Sequence, residues 1–270
     1  MLTATFDYIY LMNHSLTTPA PSKFLKLALI GYGKMGKAIE ETALQHGHSI
    51  ALKVTGSNAA DLTAANLRKC DVAIEFTGPQ SAPKNIICCI DAGIPVLSGS
   101  TGWLEQWEGV ASYCTAHQGG FLYASNFSIG VNIFFEINKK LASMMASYPA
   151  YDVMIEEIHH TEKKDTPSGT AITIAEGILN ELARKRSWRN EPSEDKEILT
   201  IISKRIDPAP GTHIVRYHSD EDDIEIIHTA HNRKGFAAGA IMAAGFLAGK
   251  KGIYSMSDVL GLQKKKDDIL

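Results

Sequence analysis

The stretch LKLALIGYGKMG (25–36) constrains the fold of this chain more than any other. A short, almost continuously apolar run leads directly into G-x-G-x-x-G. A helical pattern follows, with Met35, Ile39 and Ala43 on one stripe and Gly47 as its stop. An apolar run of this kind reads as a strand buried on both faces. Between such a strand and a helix, the glycines have distinct uses. Gly31 permits the tight turn, Gly33 lets the backbone approach a pyrophosphate, and Gly36 allows close helix–strand packing. The amides at the helix start then offer an anion site.

The same alternation continues to about residue 125. SIALKV (49–54), DVAIEFTGP (71–79), IPVLSGS (94–100) and GFLYAS (120–125) read as strands, with helical stretches between them. This predicts an α/β fold with an N-terminal Rossmann-type, doubly wound parallel sheet. Ligands then bind outside the carboxyl ends of the strands, at FTGP (76–79), GSTG (99–102) and ASNF (124–127). One element of the pattern is missing. The second strand ends in KVTGSNAAD, with Thr55 or Ser57 where an acid for the adenosine ribose is usual and only Lys53 as a nearby cation. NADPH and NADH are both acceptable on this reading.

Beyond residue 127 the pattern changes. A long helix (129–147), a strand (151–159) and a helix (168–185) precede three strands with no helix between them, 198–206, 213–219 and 223–231. The last two read as a hairpin. A second α+β domain with a mixed or antiparallel sheet is expected. The small-residue stretch GFAAGAIMAAGFLAG (235–249) reads as a closely packed helix, and 255–265 as a short final one.

Composition excludes several classes. The chain has 270 residues and a formal net charge of −3, so no basic excess points to nucleic acid. The basic run Lys264, Lys265, Lys266 is short and followed by Asp267 and Asp268. Cys70, Cys88, Cys89 and Cys114 have neither C-x-x-C nor disulfide-framework spacing and read as inert thiols in a reducing compartment. No apolar run reaches the about 18 residues of a membrane span. Residues 1–23 lack the basic start of a signal peptide and carry TTPAPS, which reads as a flexible lead-in. The chain is expected to be soluble and cytoplasmic.

The chemistry concentrates in EEIHHTEKKDTPSGTA (156–171). Strand alternation puts Val153, Ile155, Glu157 and His159 on one face. Asp165-Thr166-Pro167 turns the chain. Ser168 is a good N-cap, and Gly169, Thr170 and Ala171 present amides at a helix start. With Lys163 and His160 this makes a cationic pocket for a small dianion, and His159 can carry a proton near neutral pH. No metal is expected, because H-H-T-E lacks helical ligand spacing and has no cysteine near. T-P-S-G is no nucleophile elbow. Glu162 reads as solvent-facing, Asp165 as shaping the turn, and His213, His218, His228 and His231 as structural.

The glycine loop, DVAIEFTGP, SGSTGW, ASNFSIGVN, H-H-x-x-K-x-D-x-P-S-G-T-A and NRKGFAAGA occur in an order that resembles the 4-hydroxy-tetrahydrodipicolinate reductase (dihydrodipicolinate reductase) family, over about residues 25–262. The resemblance implies reduction of a small cyclic unsaturated dicarboxylate with NADPH or NADH in lysine and diaminopimelate biosynthesis, by a homotetramer. It implies His159 and Lys163 as the acid/base pair and His160, Gly169 and Thr170 as the substrate-carboxylate site. Cofactor contacts are implied at Gly31, Tyr32, Gly33, Lys34, Met35, Gly36, Gly99, Ser100, Thr101, Ala124, Ser125, Asn126 and Phe127. Arg233 and Phe236 are implied to close over the nicotinamide. The family's topology returns the chain to its first domain, so that 24–127 with 234–270 form the dinucleotide-binding domain and 128–233 the substrate-binding and oligomerisation domain. The alternatives are another two-domain Rossmann reductase of imines or carbonyls, or a non-catalytic dinucleotide-binding regulator.

Overall fold

A computed structural model describes residues 24–262. The expectations for residues 1–23, for Lys264 to Asp268 and for the end of the 255–265 helix fall outside them. The elements are β1 (Lys26–Ile30), α1 (Lys34–Gln45), β2 (Ser49–Val54), α2 (Ala64–Leu67), β3 (Val72–Glu75), α3 (Ala82–Asp91), β4 (Val96–Ser98), α4 (Trp107–Ala116) and β5 (Gly120–Tyr123). They continue with α5 (Ile129–Met145), β6 (Asp152–His159), α6 (Gly169–Leu179), β7 (Ser187–Arg189), β8 (Ile198–Arg205), β9 (Thr212–His218) and β10 (Asp223–Thr229). Last come α7 (Lys234–Leu247), β11 (Gly252–Tyr254) and α8 (Met256–Leu260).

Six strands form an all-parallel sheet in the order β11-β5-β4-β3-β1-β2. β1 shows why its sequence is almost wholly apolar. Leu27 and Leu29 enter a core shared with α1 and α7, while Ala28 and Ile30 enter the core on the opposite face with Ile86, Trp103 and Phe121. The second sheet is mixed, in the order β10-β9-β6-β8-β7. Here β8 runs parallel to β6 and β7, while β9 runs antiparallel to β6 and β10. α5 and α6 cover one face through Phe134, Phe135, Ile174 and Ile178, against Ile155, Ile201 and Val215. No helix among the described residues is long and apolar enough to cross a membrane.

Some elements differ from the sequence expectation. β7 and β11 were not expected, since each is a three-residue edge strand too short to show a period. The helix expected over 168–185 stops at Leu179. The chain there follows tertiary contacts instead: Leu182 is buried, and the Lys185 amine is drawn to Asp152 at 2.7 Å and the Ile198 carbonyl at 3.0 Å. The cysteines are free thiols, and burial pushes Cys70 up to about 11, leaving it protonated and unreactive.

The small residues of α7 have a specific purpose. Ala237, Ala240, Ala243 and Ala244 join the first core, and α7 packs beside α1 and the ends of β3, β4 and β5. At Gly239 the approach is closest: a Cβ there would sit 1.7 Å from the Phe127 carbonyl oxygen. A backbone oxygen cannot swing aside as a side chain can. Gly239→Ala is therefore expected to destabilise the fold by about 1–3 kcal/mol, read as a lowered Tm. An unchanged Tm would show that α7 is not seated this closely.

Candidate active site

An open cleft of about 270 Å³ lies between the carboxyl end of the parallel sheet and the end of β6. Met35, Phe76, Gly99, Ser125, Asn126 and Phe127 face it from the first domain. His159, His160, Lys163, Ser168, Thr170, His213, His228 and Arg233 face it from the other side, and Phe236 of α7 lines it as well.

The cross-strand register builds its floor. Ser203 of β8, Glu157 of β6, His213 of β9 and His228 of β10 pair in one row across the second sheet, on its inner face. Glu157 is fully buried. Its Oε1 accepts from the Ser168 amide at 3.1 Å and from Arg205 Nη2 at 3.0 Å, and its Oε2 lies 2.8 Å from His159 Nδ1. Burial pushes the Glu157 carboxyl up, but contacts from His159, Ser168 and Ser203 outweigh it and hold the group far below the usual carboxylate range. Arg205 Nη2 also donates to the Asp165 carbonyl and Thr166 Oγ1, fixing the turn that precedes α6. Ser168 caps α6, accepting from the Ala171 amide at 3.1 Å, and its hydroxyl lies 3.3 Å from His213 Nε2.

Two histidines read as structural thus line the cleft. Burial, with His159 beside it, pushes His213 down to about 3, so it is neutral at physiological pH. His228 is lowered in the same direction by burial. By contrast His218 pairs with Asp223 at 2.6 Å away from the site, and His231 is exposed. Among the described residues, one group of side chains could hold a metal, Glu157, His159 and His213, with donor atoms within 4.8 Å of one another. Arg205 and the Ser168 amide already answer the charge of its only carboxylate.

The other expected residues lie at varying distances around this floor, and Tyr32, Ser100, Thr101 and Ala124 are not among the cleft's lining. Lys163 Nζ is held by both oxygens of Asp165 at 2.7 Å, so Asp165 does more than shape the turn. Arg233 reaches to 3.5 Å from His160 Nε2. The ASNF loop leans on α6: Asn126 Nδ2 donates to Thr170 Oγ1 at 3.1 Å, and Ser125 Oγ lies 2.9 Å from Thr173 Oγ1. Ala124 is buried in the first core. Ser100 is buried and donates to Glu75 at 3.0 Å, while a Cβ on Gly169 would touch the Thr101 methyl at 3.3 Å. Glu162 is exposed as expected and pairs with Lys34 at 2.6 Å across the cleft.

The glycine loop fits a dinucleotide. Gly31 has φ +94°, and a Cβ there would sit 2.1 Å from the Phe76 carbonyl oxygen, as the tight turn requires. A Cβ on Gly36 would meet the Gly31 carbonyl at 2.3 Å, whereas one on Gly33 would meet nothing within 4 Å. Gly33 is therefore the point left open for a phosphate. Tyr32 instead turns to Glu40, with Lys53 Nζ 4.1 Å from its ring centroid and 2.8 Å from Glu40. Thr55 is used to cap the 3-10 turn Gly56–Asp61.

Fold and site together define a two-domain reductase that uses a nicotinamide dinucleotide. Residues 25–127 match the family "Dihydrodipicolinate reductase, N-terminus" and residues 130–260 its C-terminal counterpart. The chain is 47% identical over 238 residues to a 4-hydroxy-tetrahydrodipicolinate reductase of Christiangramia forsetii, covering 87% of this chain and 98% of the relative. A reductase of the same name from Neisseria meningitidis is 33% identical over 271 residues, covering 89% of this chain and 99% of the relative. Among solved structures, a dipicolinate-bound dihydrodipicolinate reductase from a Paenisporosarcina species superposes with TM-score 0.62 at 23% identity, over 86% of this chain and 98% of that one. An amine dehydrogenase from Mycobacterium smegmatis shares the fold at TM-score 0.58 and 8% identity, over 88% and 96%. The chain belongs to the dihydrodipicolinate reductase family.

The neutral His213 gives a test of the site's electrostatics. Its pKa falls from 6.5 unfolded to about 3 folded, so the unfolded chain binds the extra proton between these values. The stability this contributes is full above pH 6.5 and is lost as pH falls toward 3, with a slope of up to about 1.4 kcal/mol per pH unit. Glu157 adds a loss of the same sign that begins only near its unfolded value of 4.5. Urea denaturation from pH 7 to pH 5 is expected to show this slope in the parent and a flatter one in His213→Gln. Equal slopes in the two would contradict a buried neutral His213.

Proposed function

We infer that this chain reduces 4-hydroxy-tetrahydrodipicolinate to tetrahydrodipicolinate with NADPH or NADH, a step of lysine and diaminopimelate biosynthesis. The observation that carries the reading is the convergence of His159, Lys163 and the capped start of α6 on one cleft beside a dinucleotide loop.

Loss of the substrate's 4-hydroxyl as water leaves a conjugated C=C–C=N system, to which a bound nicotinamide would supply hydride. That addition leaves an electron-rich enamine, which takes up one proton. His159 is the donor and faces the cleft from the end of β6. Lys163 lies at the lip of the cleft, tethered by Asp165. One substrate carboxylate is held by His160 and the amides of Gly169 and Thr170, which combine a polar side chain with a helix N-terminus. Arg233, beside His160, adds a cation on the same side. Phe236 faces the cleft with it and closes it toward the nicotinamide. Gly31 to Gly36, Gly99 to Thr101 and Ala124 to Phe127 form the cofactor side. Residues 24–127 with 234–270 make the dinucleotide-binding domain, and 128–233 the substrate-binding domain.

Turnover is measured as oxidation of NADPH or NADH when the substrate is made in situ by the preceding synthase from pyruvate and aspartate semialdehyde. Lys163→Ala is expected to lower kcat by about 10²–10⁴ and to leave cofactor affinity nearly unchanged. A variant with normal turnover removes Lys163 from the mechanism, and an inactive parent removes the substrate assignment.

The proposed enzyme acts in the cytoplasm as a homotetramer, and the outer face of the second sheet supports the assembly. Met154, Ile158, Ile202 and Ile214 are half-buried on this face and Ile227 is 56% exposed, with no helix among the described residues over them. Apolar side chains set among the paired charges Glu156–Lys204 and Arg216–Glu225 suit burial against a second copy. Ile214→Asp combined with Ile227→Asp is expected to lower the mass found by sedimentation. A parent that sediments as a monomer would discard the assembly.

A further inference from the structure

We infer that Glu157 is a positioning residue of the reaction, holding His159 with Nδ1 against its carboxylate so that Nε2 serves the cleft. This rests on the reading of His159 as proton donor.

A fully buried carboxylate in the row of Val153 and Ile155 has no packing reason to be there. An apolar residue of similar size would fill the place without the cost of desolvating a charge. Every contact of Glu157 leads instead to the site. Oε1 holds the Ser168 amide that starts α6 and the Arg205 guanidinium that clamps the Asp165–Thr166 turn. Oε2 lies 2.8 Å from His159 Nδ1. On the other side of the ring, Gly211 keeps space clear: a Cβ there would stand 3.0 Å from His159 Nε2.

The tautomer follows from this arrangement. A histidine that releases a proton from Nε2 and ends neutral must keep its remaining proton on Nδ1. That is the nitrogen facing the carboxylate. Other titratable groups facing His159 offer no substitute. Arg205 from β8 is already spent on Glu157, and His213 from β9 is neutral. His228 comes from β10, His160 is paired toward Arg233, and Lys163 is answered by Asp165.

The full-length enzyme tests this with Glu157→Gln, His159→Gln and the double variant. Glu157→Gln is expected to lower kcat by about 10²-fold and to change KM for both substrates little. In the His159→Gln background the same change is expected to cost nothing further. Equal fractional losses in both backgrounds overturn the proposal, because a structural defect would act whether or not His159 is present. His159→Gln with parental turnover overturns the proton-donor reading instead, which keeps the two failures apart. If Glu157→Gln does not fold, Glu157→Asp decides: it keeps the charge and withdraws it by one methylene. Its kcat is expected to fall about tenfold or more, again only when His159 is present, and an equal loss in both backgrounds overturns the proposal. Nitrogen-15 histidine spectra of the folded variant provide a readout besides activity. They should show neutral His159 protonated on Nδ1 in the parent and a tautomer mixture in the variant, and an unchanged tautomer overturns the proposal.

Discussion

A carboxylate buried in a protein interior is stable only if its charge is fully answered, and in this structure the answering groups are the site itself. Glu157 draws in Arg205, the Ser168 amide and His159. Arg205 fixes the turn before α6, the Ser168 amide fixes where α6 begins, and His159 ends β6 at the cleft. Remove the charge and three elements lose a shared anchor. The start of α6 and the His159 imidazole, to which the proposed function gives the carboxylate site and the proton, are therefore set in one frame. This frame is built on a sheet, where side-chain placement is tighter than on a loop.

The cofactor side depends on backbone contact rather than charge. Gly31 against Phe76, Gly36 against Gly31 and Gly239 against Phe127 are three places where the main chain comes too close for a Cβ. They draw β1, α1, β3 and α7 together beneath the strand ends. Charges at the outer rim are already paired. Lys53 and Glu40 neutralise each other beside Tyr32, and Thr55 caps its own turn. With no acid at the end of β2, nothing there repels a 2′-phosphate, which agrees with a family that uses both NADPH and NADH.

Much of this was legible in the sequence because it is local. The glycine loop declares itself by its place between an apolar strand and a helix. H-H-x-x-K-x-D-x-P-S-G-T-A declares a strand end, a turn and a capped helix in consecutive residues. What was missed depends on register. Glu157 was placed on the face of Val153 and Ile155, and an acid on an apolar face was a usable signal. Its partners Arg205 and His213 are 48 and 56 positions away in the chain, reachable only through the pairing of β6 with β8 and β9. His213 and His228 looked structural for the same reason: their row beside Glu157 exists only once three strands are aligned. β7 and β11 were missed because three residues at a sheet edge carry no period, and α6 ended early because Lys185 follows Asp152 rather than helix propensity.

The proposed mechanism takes hydride and proton from opposite sides of the cleft, so their relative placement matters as much as either group. Two kinds of contact join them. Lys34 and Glu162 meet across the cleft at 2.6 Å, but both side chains are mostly exposed, at 66% and 72%. An exposed pair of this kind contributes little and weakens with salt. The Asn126–Thr170 bond is buried, and Ser125–Thr173 is half-buried. Each hydrogen bond of this kind adds about 0.5–1.5 kcal/mol, and losing one partner costs more because the other is left unpaired. Asn126 is further fixed by accepting from the Ser128 amide at 2.8 Å, at the cap of α5. The buried polar contacts therefore set the register between the cofactor loops and α6, and the surface ion pair only follows it. The same α6 start is held from below by Glu157 through Ser168, so the ASNF loop and the end of β6 share one rigid reference.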